Sequence, residues 1–281
     1  MQEISYDQIR ALFKLLEKPD MQDRLFLKQA LSSAIKTNPA KVQQVLEEDF
    51  AESAPRGIVD LLEEICWEDL AGSFTSFVAK INPDLEEGLS LVAKFTSPTM
   101  ARGKITEPLD AMAFELRSAL LNAQNYREMI ADMTHYIFDM RRFKTLPSAK
   151  NINDLSFSHF LQRKQGAALC MACLYACLGQ RYGLNMEVAD MSGWTVVLCK
   201  DEAHQDTFVV DPFNNGKVLS LEDCRSYMQL RRLPWNTNTI TVLSSRQVVR
   251  RLLAQMIFLL NKVNDERRLS YLRNYLDILV P

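Results

Sequence analysis

Glycine is scarce, at 9 of 281 residues. No G-x-G-x-x-G or Walker-type run occurs, which excludes the usual glycine-rich phosphate loops. No stretch approaches the ~18 apolar residues of a membrane span. The opening residues, Met1 to Asp7, hold no basic segment followed by an apolar run, so no export signal is expected. Charge of one sign is also missing: 33 Lys and Arg face 35 Asp and Glu, a net of −2. The basic pairs (Arg141-Arg142, Arg163-Lys164, Arg231-Arg232, Arg250-Arg251, Arg267-Arg268) are spread along the chain. They read as solvated helix faces, not as a nucleic-acid surface. Six cysteines are too few for a disulfide scaffold in a chain this long and read as reduced thiols. Histidines number three, and none has the spacing of a zinc ligand set. Together these absences lead us to expect a cytoplasmic protein with no metal, no cofactor, and neither nucleic acid nor membrane as partner.

What is present is apolar patterning at helical period. Apolar residues make up 47% of the chain, enough for a substantial core. Ile9, Leu12, Phe13, Leu15 and Leu16 form one stripe, and Lys18-Pro19-Asp20 ends it. Leu25, Leu27, Ala30, Leu31 and Ile35 form a second. Asn38-Pro39 opens a third helix with Val42, Val45 and Leu46 on one face. Ile58, Leu61, Leu62 and Ile65 make a fourth. This rhythm over 1–65 is similar to a HEAT-like repeat pair or a plain helical bundle. Further helices are expected at 68–80, 84–95, 108–122 and 125–140.

From residue 155 the texture changes. A helix bearing Phe157, Phe160 and Leu161 precedes a segment, 167–182, that is apolar on nearly every side and must be a buried helix. Strand-like runs follow at 186–191, 194–199, 207–210 and 218–219. Asp201 to Gln205 reads as a hairpin loop, Asn215-Gly216 as a turn, and Ser220-Leu221-Glu222-Asp223 as a capped helix start. A final helix pair, 246–262 and 266–280, is hinged at Asn264-Asp265. A symmetric hairpin loop would place position 194 directly opposite Asp211.

Four pieces of this sequence carry a resemblance. They are Leu161 to Gly166, the helix running to Arg181-Tyr182-Gly183-Leu184, Gly193-Trp194, and Asp211-Pro212-Phe213-Asn214-Asn215-Gly216. Residues 66 to 243 resemble the SirB-type transglutaminase-like family, bacterial proteins often extended by tetratricopeptide repeats. The resemblance implies an α+β fold: a helical N-terminal half packed on a small papain/transglutaminase-like core with an antiparallel sheet. Residues 244–281 then resemble the start of a tetratricopeptide region. Enzymes of this fold use a cysteine at a helix start, a histidine and a carboxylate. Those positions here fall on Ala168, Trp194 and Asp211, so only the carboxylate remains.

Asp211 then accepts the indole N–H of Trp194 or caps the turn toward Asn215-Gly216. Cys170 lies roughly 200° around the helix from Ala168, sharing a face with Cys173 and Cys177; buried packing explains the row. His159 could approach the cleft. His204 sits in an acidic loop, and His135 in a helix beside Tyr136. The expected function is a non-catalytic protein that binds another protein, with Trp194, Asp211, Asn214 and His159 as binding residues. The alternative is an amide hydrolase or acyltransferase using Cys170 or Cys173 with His159. A third reading, a regulatory thiol protein, rests on the cysteine row alone.

Overall fold

The computed structural model describes residues 4–16, 24–49, 55–101, 103–236 and 238–280. The expected break at Lys18-Pro19-Asp20 lies outside them. Three helices, α1 (Tyr6–Leu16), α2 (Arg24–Thr37) and α3 (Pro39–Asp49), pack on the first half of α4 (Arg56–Ala79). Their buried stripes are those the periodicity predicts: Ile9, Leu12 and Phe13, then Leu27 and Leu31, then Val42 and Val45, then Ile58, Leu61, Leu62 and Ile65. Leu15 and Leu25, counted in two of those stripes, are exposed instead.

Helix α4 was expected as two pieces, one ending at Ile65 and one starting at residue 68. It is one continuous helix of 24 residues. Nothing between Ile65 and Leu70 interrupts it: the segment Cys66-Trp67-Glu68-Asp69 holds neither glycine nor proline. The buried side chains change allegiance along it. Residues up to Ile65 join the N-terminal core, and Cys66, Trp67, Leu70, Phe74 and Phe77 join the main one.

Helices α5 (Leu85–Thr96), α6 (Thr106–Asn122) and α7 (Tyr126–His135) follow; α7 continues as a π-helical turn, Tyr136–Met140. Asp84 and Asn125 cap α5 and α7 through backbone N–H groups three residues on. Strand β1 (Lys144–Thr145) pairs in parallel with β2 (Gln165–Gly166), the two flanking α8 (Phe157–Arg163). Helix α9 (Ala168–Arg181) is buried on nearly all sides, as its composition predicts.

A five-stranded antiparallel sheet follows. It comprises β3 (Asn185–Met191), β4 (Trp194–Asp201), β5 (Asp206–Asp211), β6 (Lys217–Ser220) and β7 (Ile240–Val242), in the order β6-β5-β4-β3-β7. β7 has only three residues, too short to leave a periodic signal. Helix α10 (Leu221–Leu230) crosses between β6 and β7, and α11 (Ser245–Lys262) and α12 (Glu266–Ile278) close the described chain. Ser220 and Ser244 each form a capping box, with Asp223 and Gln247. This is the expected α+β architecture.

The sheet has two different faces. Val188, Val197, Cys199, Phe208 and Val210 join α9 in the main core. Ala189, Met191, Val196, Leu198 and Val209 point the other way, as strand alternation requires, and pack with Cys224 and Met228 of α10.

Candidate functional site on the α10 face

The turn between β3 and β4 is two residues long, Ser192 and Gly193, both with positive φ (49° and 93°). That is the geometry tight hairpins favour, and glycine meets it without strain. Trp194 is the first residue after the turn and is paired with Met191. Its ring packs on Tyr227 of α10, with centroids 4.5 Å apart and planes at 56°. The Arg231 guanidinium lies 4.4 Å from the Trp194 ring centre and 5.1 Å from that of Tyr227.

Asp211 ends β5. Its Oδ1 accepts the backbone N–H of Phe213 at 2.9 Å and of Asn214 at 3.3 Å. Of the two roles open to Asp211, the turn role is the one present. The turn closes through Asn215 and Gly216, both left-handed. A Cβ at Gly216 would stand 2.5 Å from Tyr175 Oη and 2.8 Å from the Phe138 ring, so only glycine lets the turn sit on α9.

Trp194, Asp211 and Asn214 line one pocket of about 250 Å³, together with Met191, Val196, Lys217, Leu219, Asp223, Ser226, Tyr227 and Leu230. The pairing expected between 194 and 211 is corrected by the register. Val197 lies opposite Val210 and Asp201 opposite Asp206, which sets the hairpin centre one residue later than assumed. The Asp201 carboxylate accepts N–H bonds from Ala203 and His204 inside the loop, and Gln205 is left-handed. This local chemistry moves the turn. A slip of two in pairing leaves each residue on its original face, so the two side chains still meet in one pocket.

Ala168 is not part of that pocket. It is the first residue of α9, half-buried, on the opposite side of the sheet from the cluster that holds Trp194. His159 is elsewhere again. It lines a cavity of about 800 Å³ formed by α3, the α5–α6 connection and α8. Its Nδ1 lies 3.2 Å from Oγ of the fully buried Ser156, which also takes a bond from Thr96 Oγ1 at 2.7 Å. Burial, aided by the Arg163 charge, lowers the His159 pKa and favours the neutral ring. The Cys170 thiol points at the Asp154 carbonyl, 4.0 Å away.

All six cysteines are buried and unpaired. Burial raises the thiols of Cys66, Cys170 and Cys199 to about 12 and that of Cys224 to about 11, and pushes Cys173 and Cys177 up as well. The row on α9 is core packing. His204 is exposed and bonded to Asp201 at 2.7 Å, and His135 is exposed and bonded to Asp139 at 2.8 Å.

Residues 103–254 match the profile of the transglutaminase-like superfamily, more than half of the chain. The chain belongs to the transglutaminase-like superfamily. The matched span runs from just before α6 into α11 and takes in α9, the whole five-stranded sheet and the α10 pocket. Comparison with curated proteins and with solved structures returns no match.

In this transglutaminase-like chain the pocket adds three residues with no site role expected from sequence: Asp223, expected only in a helix cap, Arg231, expected only in a solvated basic pair, and Tyr227. They recur every four residues, so Asp223 and Tyr227 share one face of α10 and Arg231, its C-cap, continues it. That spacing is the signal in the sequence that groups them.

Proposed function

We propose that this is a non-catalytic transglutaminase-like protein of the SirB type, which docks another protein at the Trp194 pocket. The observation that carries the reading is the convergence of Trp194, Asp211 and Asn214 on one pocket of the α10 face. Its surroundings suit a protein contact. Phe213, Leu230 and Leu233 are exposed apolar side chains, and Leu230 lines the pocket itself. Aromatic residues that bury an apolar body and keep a polar edge are favoured at such contacts.

The chemistry at the family's acyl-transfer positions supports the same reading. Alanine and tryptophan stand where the resemblance puts nucleophile and base, and thiols held protonated by burial are poor nucleophiles. A pairing of Cys170 or Cys173 with His159 has no support in the geometry: both thiols are fully buried, and His159 lines a cavity to which neither contributes.

Two measurements test the proposal. Native alkylation at neutral pH should leave all six cysteines unmodified until the protein is unfolded; one fast-reacting thiol in the folded chain overturns it. Separately, a photo-crosslinking residue at Leu230 should join a discrete protein partner in the source cells. The same residue at Ile81, which is 90% exposed and remote in sequence, should not. The Leu230 product should vanish with Trp194→Ala. Equal crosslinking at both sites would sink the docking site.

A further inference from the structure

We infer that the Trp194–Tyr227 pocket is a site for a cationic side chain, and that Arg231 is its internal competitor. This rests on the docking reading above and specifies its chemistry: the partner presents an arginine or lysine.

Two independent observations converge. The first is the aromatic pair. Trp194 and Tyr227 form a wedge of two π faces, and a guanidinium already lies within 5.1 Å of both ring centres. That is within the ≈ 6 Å over which a cation is held by a ring quadrupole. Arg231 is itself exposed and follows directly on α10, just before Arg232 turns left-handed. Among the described residues its side chain makes no hydrogen bond or ion pair, so only the two rings hold it in place.

The second is charge. The pocket holds two carboxylates, Asp211 and Asp223. The caps they form use one oxygen of each: Oδ1 of Asp211 toward Phe213 and Asn214, and Oδ2 of Asp223 toward Ser220. The bond from the Ser220 side chain keeps the Asp223 carboxyl below its ordinary value, hence ionised. Lys217 lines the same pocket and stands opposite Asp211 in the β5–β6 register. The lining itself carries two carboxylates against one ammonium, and Arg231 over the rings, with Arg127 acting on Asp223, supplies the balancing positive charge. Apolar walls from Met191, Val196 and Leu219 suit the methylene stem of a long basic side chain.

A self-occupied site binds an outside ligand more weakly by the fraction of time it is open. Removing the internal guanidinium therefore tightens binding by roughly two- to fivefold, the range set by an exposed cation–π contact.

The test is calorimetric titration of the full chain with N-acetyl-arginine methylamide, using the uncharged citrulline analogue as control. The wild type should bind the arginine probe weakly. Arg231→Ala should bind it roughly two- to fivefold more tightly, and Trp194→Leu should bind neither probe. Circular dichroism and thermal melts establish that both variants are folded. Equal binding of the two probes, or no gain in Arg231→Ala, overturns the assignment. If the Leu230 crosslink persists while the arginine probe fails, the docking reading stands and only the cationic specificity falls.

Discussion

The two faces of one five-stranded sheet differ in almost every respect. The α9 face is dry: Leu174, Tyr175, Val197, Cys199 and Val210 are fully buried, and Tyr175 bonds Thr134 at 2.9 Å inside the core. The α10 face is covered by a ten-residue helix, with Trp235 beyond it packing on the same cluster. There, carboxylates, a lysine and two half-buried aromatic rings meet at an open pocket. The resemblance puts one of its three positions, Ala168, at the start of the buried helix and the other two, Trp194 and Asp211, on strands. That helix is buried on nearly all sides, while Trp194, Asp211 and Asn214 line a pocket on the other face of the sheet. The three positions that the resemblance singles out are thus divided between the two faces of the sheet.

Stability measurements sharpen this contrast, the strongest first. Leu174→Ala on the α9 face should cost ~2–5 kcal/mol, the range for a large buried side chain in a tight core. Leu219→Ala on the other face should cost less than half as much, because Leu219 is only partly buried. Denaturant titration compares them; equal losses would erase the distinction between the faces.

Ser220→Ala should cost about 1 kcal/mol by removing the capping box of α10. It should also blunt the acid sensitivity of the protein. The Asp223 carboxyl is lowered by its Ser220 bond, so its contribution is present above the ordinary carboxylate value of ~3.9 and is lost as pH falls through the lower folded value. An unchanged acid limb in the variant would refute that link.

Trp194→Leu should change stability by less than ~1 kcal/mol, since the ring is only half-buried, while abolishing the Leu230 crosslink. A large loss of stability would make Trp194 a core residue and move it out of the docking site. The smallest effect belongs to His159. Its folded pKa is lowered, so the unfolded chain takes up protons first, and stability declines as pH falls below ~6.5. His159→Gln should flatten melting temperature over that acid range and leave it unchanged above.

Much of this architecture was legible in the sequence because its signals are local. The apolar stripes of α1 to α3, the all-round apolar α9, the Ser220 and Ser244 caps and the Asn215-Gly216 turn each declare themselves within a few residues. What escaped depended on distant or very short features. The hairpin register slipped because Asp201 organises its loop from within, which residue counting does not capture. Which face Trp194 occupies followed from a two-residue turn and a strand parity, not from its place in the motif. The continuity of α4 was hidden because its buried stripe passes from one core to another in mid-helix. Of the candidate residues, Trp194, Asp211 and Asn214 meet, while Ala168 and His159 stand apart in different surroundings.

That shared helix has a thermodynamic consequence. Its first half is gripped by the N-terminal helices and its second by the family core, and α12 binds across: Arg268 reaches Glu63 at 2.6 Å and Arg267 reaches Asp60 at 2.6 Å. Losing either core would strand half of a helix about 36 Å long with its apolar stripe in water. The two cores are thus bound into one melting unit, and differential scanning calorimetry should record a single transition where two separate folding units would give two.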